Sequence, residues 1–490
     1  MMHDRKYTAL IVVALVGILL FLHRGHFNLE LRGTHVWRQS ITALHIRNFV
    51  RYDNNILNPR VASFNGGRDN ISRYEFPLMQ WTIAQVERVT GESVAVVKFY
   101  QFLIAISFLI GFMFLLKRAG FDRRFCWMGI WAVAFSPVIY YYSVSPIPDM
   151  LALSFATWAL YHAIGFFRSE QNKYWPIFNI GLLISLATLV KLPYILFMGP
   201  AVYLIIAKYR MRWKSYFVPF FILAACMIPA FLWYAWVIPQ WTVGITKGMF
   251  DNQISMDHAL QIISYHLKVM FPYRLLNVVF VPFFLLSVIP MFRSIRRDAV
   301  LQSMLLGFLA YLAYFLFELN MIDVVHDYYM MPFVPFLFWG VMTGIRFCWQ
   351  LRYMAAKVIV GIALIVAPFT CLENTQKDWE ITHFHDIYEK QAEFIGAAPP
   401  NEKVIMLKDF SGFILPYLID HHGHIFNFDT LPRSWVKNMI SEYDVHYLYS
   451  NSRTSDSINR DFIRDTVFKH GEFKVFRLKD KTAVDTIPAE

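Results

Sequence analysis

Val94-Ala-Val-Val-Lys-Phe-Tyr-Gln-Phe-Leu-Ile-Ala-Ile-Ser-Phe-Leu-Ile-Gly-Phe-Met-Phe-Leu-Leu116 carries no charge at its centre and stops abruptly at Lys117 and Arg118. About 20 apolar residues at a rise of roughly 1.5 Å each match the hydrocarbon core of a bilayer, so this stretch predicts a transmembrane helix. Ten further spans of the same kind follow from the sequence: Tyr7 to Leu22, Phe125 to Tyr142, Leu151 to Phe167, Trp175 to Val190, Tyr194 to Ala207, Phe217 to Val237, Leu275 to Phe292, Ala299 to Phe317, Met330 to Ile345 and Val358 to Leu372. Every second connection between them is basic, beginning with Arg5 and Lys6 and continuing with Lys117, Arg118, Arg123 and Arg124, then Arg168 and Lys173. The pattern goes on through Lys208, Arg210, Arg212 and Lys214, then Arg293, Arg296 and Arg297, then Arg346, Arg352 and Lys357. Basic connections stay in the cytoplasm. The expected fold is therefore a polytopic α-helical membrane protein of about 11 transmembrane helices, with the N-terminus cytoplasmic and everything after Leu372 outside. A multi-pass protein of the inner (plasma) membrane follows.

Composition agrees with that reading. Of 490 residues 57% are hydrophobic and only 17% charged, against about 25% charged in soluble domains, which excludes a soluble enzyme and a disordered chain. The net charge of +11 sits in the connections as a topology signal, so no nucleic-acid partner is expected. Four cysteines, Cys126, Cys226, Cys348 and Cys371, lie in or beside apolar spans and offer no disulfide framework. The start at Tyr7 to Leu22 lacks a small-residue cleavage site and reads as a first helix rather than a removed signal.

Two domains are expected: residues 1–372 in the membrane, with a first outer loop over 23–93, and residues 373–490 as a small extracytoplasmic α/β domain. In the latter, helix-like stretches (Ile387 to Ile395, Ser434 to Ile440) alternate with strand-like runs (Val404 to Leu407, Val445 to Leu448, Lys474 to Leu478). Pro239 to Arg274 is expected to include an amphipathic interfacial helix around Ala259 to Met270. The run Asp420-His-His-Gly-His424 reads as a turn between helix and strand rather than as a metal site.

Acids and bases avoid the helix centres and gather at the outer helix ends and in the first loop: His35, Arg38, Arg73, Glu75, Asp149, Lys191, Glu318, Asp323, His326 and Asp327. A transport path would place ionisable groups at mid-membrane depth. Chemistry at the outer interface is favoured instead, with a lipid or polysaccharide transporter, binding a headgroup without reaction, as the alternative.

Four local patterns sharpen this. They are Gly33-Thr-His-Val-Trp-Arg-Gln-Ser-Ile-Thr-Ala43 with Ile46-Arg-Asn-Phe49, Tyr74-Glu-Phe-Pro-Leu-Met-Gln-Trp81, Ser145-Pro-Ile-Pro-Asp149, and His326-Asp-Tyr-Tyr-Met-Met-Pro332. In order and spacing they resemble the GT-C class of integral-membrane glycosyltransferases, in particular the bacterial protein-mannosyltransferase-like group related to the lipid A aminoarabinose transferase. The resemblance implies a polyprenyl-phosphate sugar donor and an acceptor that is a glycan, a lipid or a protein. It implies catalytic roles for Asp149 and Glu75, and Lys191 in Thr188-Leu-Val-Lys-Leu-Pro193 resembles the family's lysine. Two positions depart from the pattern. Thr34-His35 stands where relatives have an aspartate-glutamate pair, which brings His35 into consideration, and Phe76 stands where they have a lysine, so Arg38, Arg73 or Lys191 must supply the cation.

Physical chemistry points the same way. Breaking a glycosyl phosphate bond builds negative charge on the phosphate, which fixed cations stabilise, and arginine pairs well with phosphate oxygens. Arg38, Arg73 and Lys191 are the expected phosphate ligands. A carboxylate is needed to take the acceptor proton, and Trp37, Gln39, His326, Tyr328 and Tyr329 are expected to line the substrate. No Asp-x-Asp pair occurs in the outer loops, so neither a metal nor another cofactor is expected. Each residue also has a plainer reading: Asp149 as the cap of a helix from Leu151, Glu75 paired with Arg73, and Lys191 snorkelling to the interface. His326 can likewise be a satisfied interfacial histidine, and Trp37 an aromatic-belt residue.

Overall fold

The computed structural model describes residues 2–64, 69–170, 173–210, 212–241 and 254–487, the side chains of residues 2–8 excepted. Arg5 and Lys6, and the middle of the 239–274 segment, therefore lie outside the described side chains or residues. Among the described residues seven helices are long and apolar enough to cross a membrane: Val94–Arg118, Asp149–Arg168, Leu192–Tyr209, Trp213–Gln240, Ala299–Phe317, Asp327–Gln350 and Met354–Trp379. Two shorter apolar helices, Ala9–His23 and Trp175–Val190, occupy the positions of the first and fifth expected spans.

The remaining two expected spans are broken, for local reasons. Phe125 to Tyr142 is two helices, Arg123–Ala134 and Pro137–Tyr142, because Ser136 before Pro137 takes an extended ψ of 123°, as residues before proline tend to. Leu275 to Phe292 is not one straight helix. The helical stretch Met256–Leu275, within which the expected interfacial helix falls, meets Val278–Ser294 at a 98° bend. Asn277, at φ 67° and ψ 131°, makes the corner.

Broken helices inside a bilayer must satisfy the carbonyls they free. The buried Asn277 amide donates to the carbonyls of Phe135 (3.0 Å) and Ala367 (2.9 Å). Pro368, inside the helix Met354–Thr375, cannot donate to the Leu364 carbonyl, and the Trp131 indole N–H does so instead at 2.8 Å.

The chain divides into two compact units. One holds Met1–Leu29, Tyr74–Met79 and Val94–Lys377; the other holds Glu30–Arg73, Gln80–Ser93 and Asp378–Glu490. The expected boundary at Leu372 thus moves, and most of the first outer loop belongs with the tail. The reason is legible in its contacts. Gly33, at φ +82°, lets the backbone approach Asp378 so closely that a Cβ would sit 1.8 Å from its carbonyl oxygen. Thr34 donates to the same carbonyl at 2.9 Å and to the Asp378 carboxylate at 3.0 Å.

The tail carries a five-stranded sheet, β1 (Lys403–Leu407), β2 (His422–Phe426), β3 (Tyr447–Ser450), β4 (Ile463–His470) and β5 (Phe473–Leu478), in the order β2-β1-β3-β5-β4. β2 and β3 flank β1 in parallel and β5 and β4 follow antiparallel. Ile405, Leu407, Leu448, Phe476 and Leu478 pack with Val436 and Ile440 of the helix Arg433–Tyr443 to make its core. The run expected as a turn at Asp420 to His424 is a turn only at Asp420. His422 to His424 belong to β2, where Gly423 lies against the Val404 backbone. Burial lowers the pKa of His421, His422 and His424, that of His422 to about 4, so these imidazoles are neutral.

In the membrane unit, the backbones of Val334–Gln350 and Val281–Leu286 touch at Gly344, where a Cβ would lie 1.8 Å from the Phe283 carbonyl oxygen. Small residues permit such approaches between membrane helices. Gly344→Ala should cost about 1–3 kcal/mol through overpacking, read as a lower unfolding midpoint in detergent; an unchanged midpoint would show that the crossing yields.

Candidate functional site

The helix Trp175–Val190 ends at Lys191, which takes extended backbone at φ −156° and ψ 111°, and a short 3-10 turn over Leu192–Phe197 follows. The Lys191 side chain then turns into the protein and is only 3% exposed. Its ammonium lies 2.8 Å from Glu75 Oε1 and 3.8 Å from Asp149 Oδ1. It also stands over two aromatic rings, 4.5 Å from the centroid of Tyr329 and 5.6 Å from that of Tyr328, where ring quadrupoles attract a cation.

The two acids are held from different directions. Asp149 is the first residue of the helix Asp149–Arg168, after Pro148 in the cap position. Its carboxylate is therefore not the N-cap of a helix from Leu151. It sits in the first turn, favoured there by the helix dipole, and is 1% exposed. Glu75 is placed by its neighbours: Phe76 N–H donates to the Leu189 carbonyl (2.9 Å), the Trp233 indole donates to the Tyr74 carbonyl (3.1 Å), and the Phe76 ring packs against Trp233 at 5.0 Å. Phe76 thus works as an anchor, and the cation beside Glu75 comes from Lys191.

Beside this cluster the sequence reading missed a second ion pair. Arg274 Nη2 lies 3.0 Å from Asp327 Oδ2, and the Tyr142 hydroxyl donates to Asp327 Oδ1 at 2.6 Å. Asp327 stood in the His326 to Pro332 motif and was legible there; Arg274 lies far away in the chain and carried no signal. His326 packs edge-on against Tyr328 and Tyr329 at 5.7 and 5.5 Å.

The other expected residues, His35, Trp37, Arg38, Gln39 and Arg73, belong to the second unit. His35 precedes the helix Val36–Arg51 in left-handed backbone, at φ 53°. The buried Gln39 amide donates to the Thr34 carbonyl at 3.0 Å. Arg73 donates to the Leu57 carbonyl and to Asn58 Oδ1, each at 2.8 Å. Much of the arginine in this loop is spent the same way: Arg47 and Arg51 both hold Asp420, Arg60 holds Asp53, and Arg88 donates to the Phe49 carbonyl. Among the described residues no three His, Cys, Asp or Glu side chains gather so as to hold a metal ion.

Comparison with solved structures gives ArnT from Cupriavidus metallidurans in the apo state at a TM-score of 0.66, with 10% identity over 98% of this chain and 99% of that one. The fold is that of the GT-C membrane glycosyltransferases. The same ArnT bound to undecaprenyl phosphate superposes at 0.60, with 11% identity over 96% and 98% of the two chains. The oligosaccharyltransferase of Archaeoglobus fulgidus in the apo form gives 0.56, with 11% identity over 94% of this chain and 74% of that one. Residues 75–236 match the dolichyl-phosphate-mannose-protein mannosyltransferase family, a stretch that begins at Glu75 and contains Asp149 and Lys191. No curated protein sequence matches the chain. The three residues of the ion cluster thus all fall in the matched segment.

Burial makes the cluster interdependent. Lys191→Met should destabilise the protein by about 3 kcal/mol, because it leaves a buried carboxylate uncompensated. Adding Asp149→Asn should restore more than half of that loss in detergent unfolding. Additive losses in the double variant would mean that Lys191 and Asp149 are not coupled.

Proposed function

We propose that this chain moves a sugar from a polyprenyl-phosphate donor to an acceptor hydroxyl at the outer face of the inner membrane, the acceptor being a glycan, a lipid or a protein. The single observation that carries the reading is a buried lysine set between two carboxylates at the ends of membrane helices in a GT-C fold. Its place at helix ends, not at mid-span, favours chemistry over transport. ArnT, whose fold the chain shares, has been solved with undecaprenyl phosphate, which supports a lipid phosphate as the donor's carrier.

In this reading Lys191 exchanges part of its contact with Glu75 for a phosphate oxygen of the donor, while Tyr328, Tyr329 and His326 line the sugar. The acceptor oxygen attacks the anomeric carbon, the bond from that carbon to the phosphate oxygen breaks, and its electron pair leaves with the phosphate. Asp149 receives the acceptor's proton, as a carboxylate placed in a site largely closed to water. Glu75 holds Lys191 in place and shares the negative charge around it. No metal is invoked. Arg38, His35, Trp37 and Gln39 are assigned to substrate binding; Arg73 is assigned to shaping its loop, because its guanidinium already bonds Leu57 and Asn58.

Release of sugar from a panel of undecaprenyl-phosphate hexoses and pentoses tests the reaction. Asp149→Asn keeps shape and, since the residue is not a cap, leaves the helix start intact. It should bind donor as the parent does and lose about 10²- to 10⁴-fold in transfer rate; a rate near that of the parent would remove Asp149 as the base. Orientation has its own test. A phosphatase reporter active only outside the cytoplasm, fused after the tail, should be active, and a silent fusion would reverse the topology.

A further inference from the structure

Glu318 ends the helix Ala299–Phe317 and lies just beyond that span. Its side chain is 0% exposed, yet neither carboxyl oxygen has a hydrogen-bond partner. Its backbone is fully used: the N–H donates to the Tyr314 carbonyl, and its own carbonyl accepts from Met321 and Ile322. The side chain therefore does nothing for the helix end, and among the described residues it makes no ion pair. A carboxyl group buried without partners is costly, and such groups in folded proteins call for an explanation.

Position supplies one. Two turns back on the same helix, the Tyr311 hydroxyl donates to the Pro193 carbonyl at 3.0 Å, two residues on from Lys191, whose ammonium stands over the Tyr329 ring. Glu318 thus ends the helix that packs against the Lys191 segment, with two acceptor atoms that the protein leaves unused. Groups able to use both are paired hydroxyls, such as those on adjacent carbons of a sugar ring. A phosphate does not fit, because an anion beside a carboxyl group is repelled once the acid ionises.

We propose that Glu318 is a substrate-binding residue that recognises hydroxyl groups of the donor's sugar and so makes the site prefer a sugar-bearing lipid phosphate over the bare one. This rests on the glycosyl-transfer reading above. Burial also pushes the Glu318 pKa up to about 7, so the neutral acid, able to donate as well as accept, is within reach near neutral pH.

The test uses the full chain in lipid nanodiscs, with bare undecaprenyl phosphate and its hexosyl and pentosyl derivatives as probes. The parent should bind at least one sugar-bearing probe more than about tenfold tighter than the bare lipid phosphate, consistent with several hydrogen bonds to a charged or polar group. Glu318→Ala should abolish most of that preference while holding bare undecaprenyl phosphate within about twofold, and Glu318→Gln, which keeps volume and hydrogen-bonding capacity, should retain most of it. The unfolding midpoint of Glu318→Gln without ligand should be unchanged or raised, since no native bond is lost. A lowered midpoint, or parallel weakening of bare and sugar-bearing lipids, would make Glu318 structural and overturn the proposal. A parent that transfers sugar while Glu318→Ala keeps the full preference would overturn this proposal alone. A parent that neither prefers nor cleaves any sugar-bearing probe would overturn the glycosyl-transfer reading, and this one with it.

Discussion

The charge on Lys191 is the constraint around which the membrane unit is arranged. An ammonium that is 3% exposed needs compensation close by, and Asp149, almost fully buried, needs it equally. Lys191 is shared, with Glu75 as its nearer partner and Asp149 as its farther one. Meeting that requirement brings together three segments far apart in sequence: the end of Trp175–Val190, the start of Asp149–Arg168 and the short stretch Tyr74–Met79. Each is fixed by neutral contacts before any charge is counted. Phe76 bonds Leu189, Trp233 bonds Tyr74, and the Tyr194 and Tyr234 hydroxyls donate to the carbonyls of Asp149 and Thr188. The ion cluster is preorganised by a backbone scaffold, and hydrogen-bonded aromatic side chains seal it.

The same economy governs the interruptions of the helices. A break frees carbonyls where water is scarce, and side-chain donors serve backbone carbonyls there. Asn277 serves Phe135 and Ala367, and Trp131 serves Leu364 beside Pro368. These side chains have no bearing on chemistry, yet they set where the helix ends lie, and the helix ends carry the acids and bases. Glu318 has no such service, and both of its buried carboxyl oxygens are left unbonded.

The second unit shows how one sequence signal can have two causes. Arginine concentrated in a loop next to a phosphate-handling pattern suggests phosphate ligands, and guanidinium geometry suits them. The same geometry suits carboxylates and carbonyls. Arg47 and Arg51 converge on Asp420, Arg60 on Asp53, and Arg73 on Leu57 and Asn58. Most of this loop's positive charge joins it to itself and to the residues after Asp378. A composition count weighs charge without its partners, and so could not separate the two uses.

The sequence by itself determined the class of the protein, because apolar length and alternating basic connections are local properties that no tertiary contact can reverse. It also marked Asp149, Lys191 and Glu75 as candidates, since ionisable residues at the ends of apolar spans are rare enough to notice. β1, β5 and the helix Arg433–Tyr443 were readable from short-range patterning, whereas β2 was hidden by a histidine run that looks like a turn. Tertiary structure alone decided that Lys191 pairs with Glu75 and Asp149, that Arg274 reaches Asp327, and that residues 30–73 belong with the tail. It also decided that Asp149 is a partner and not a cap. Pairing between charges is a matter of distance in space, and the sequence carries distance only along the chain.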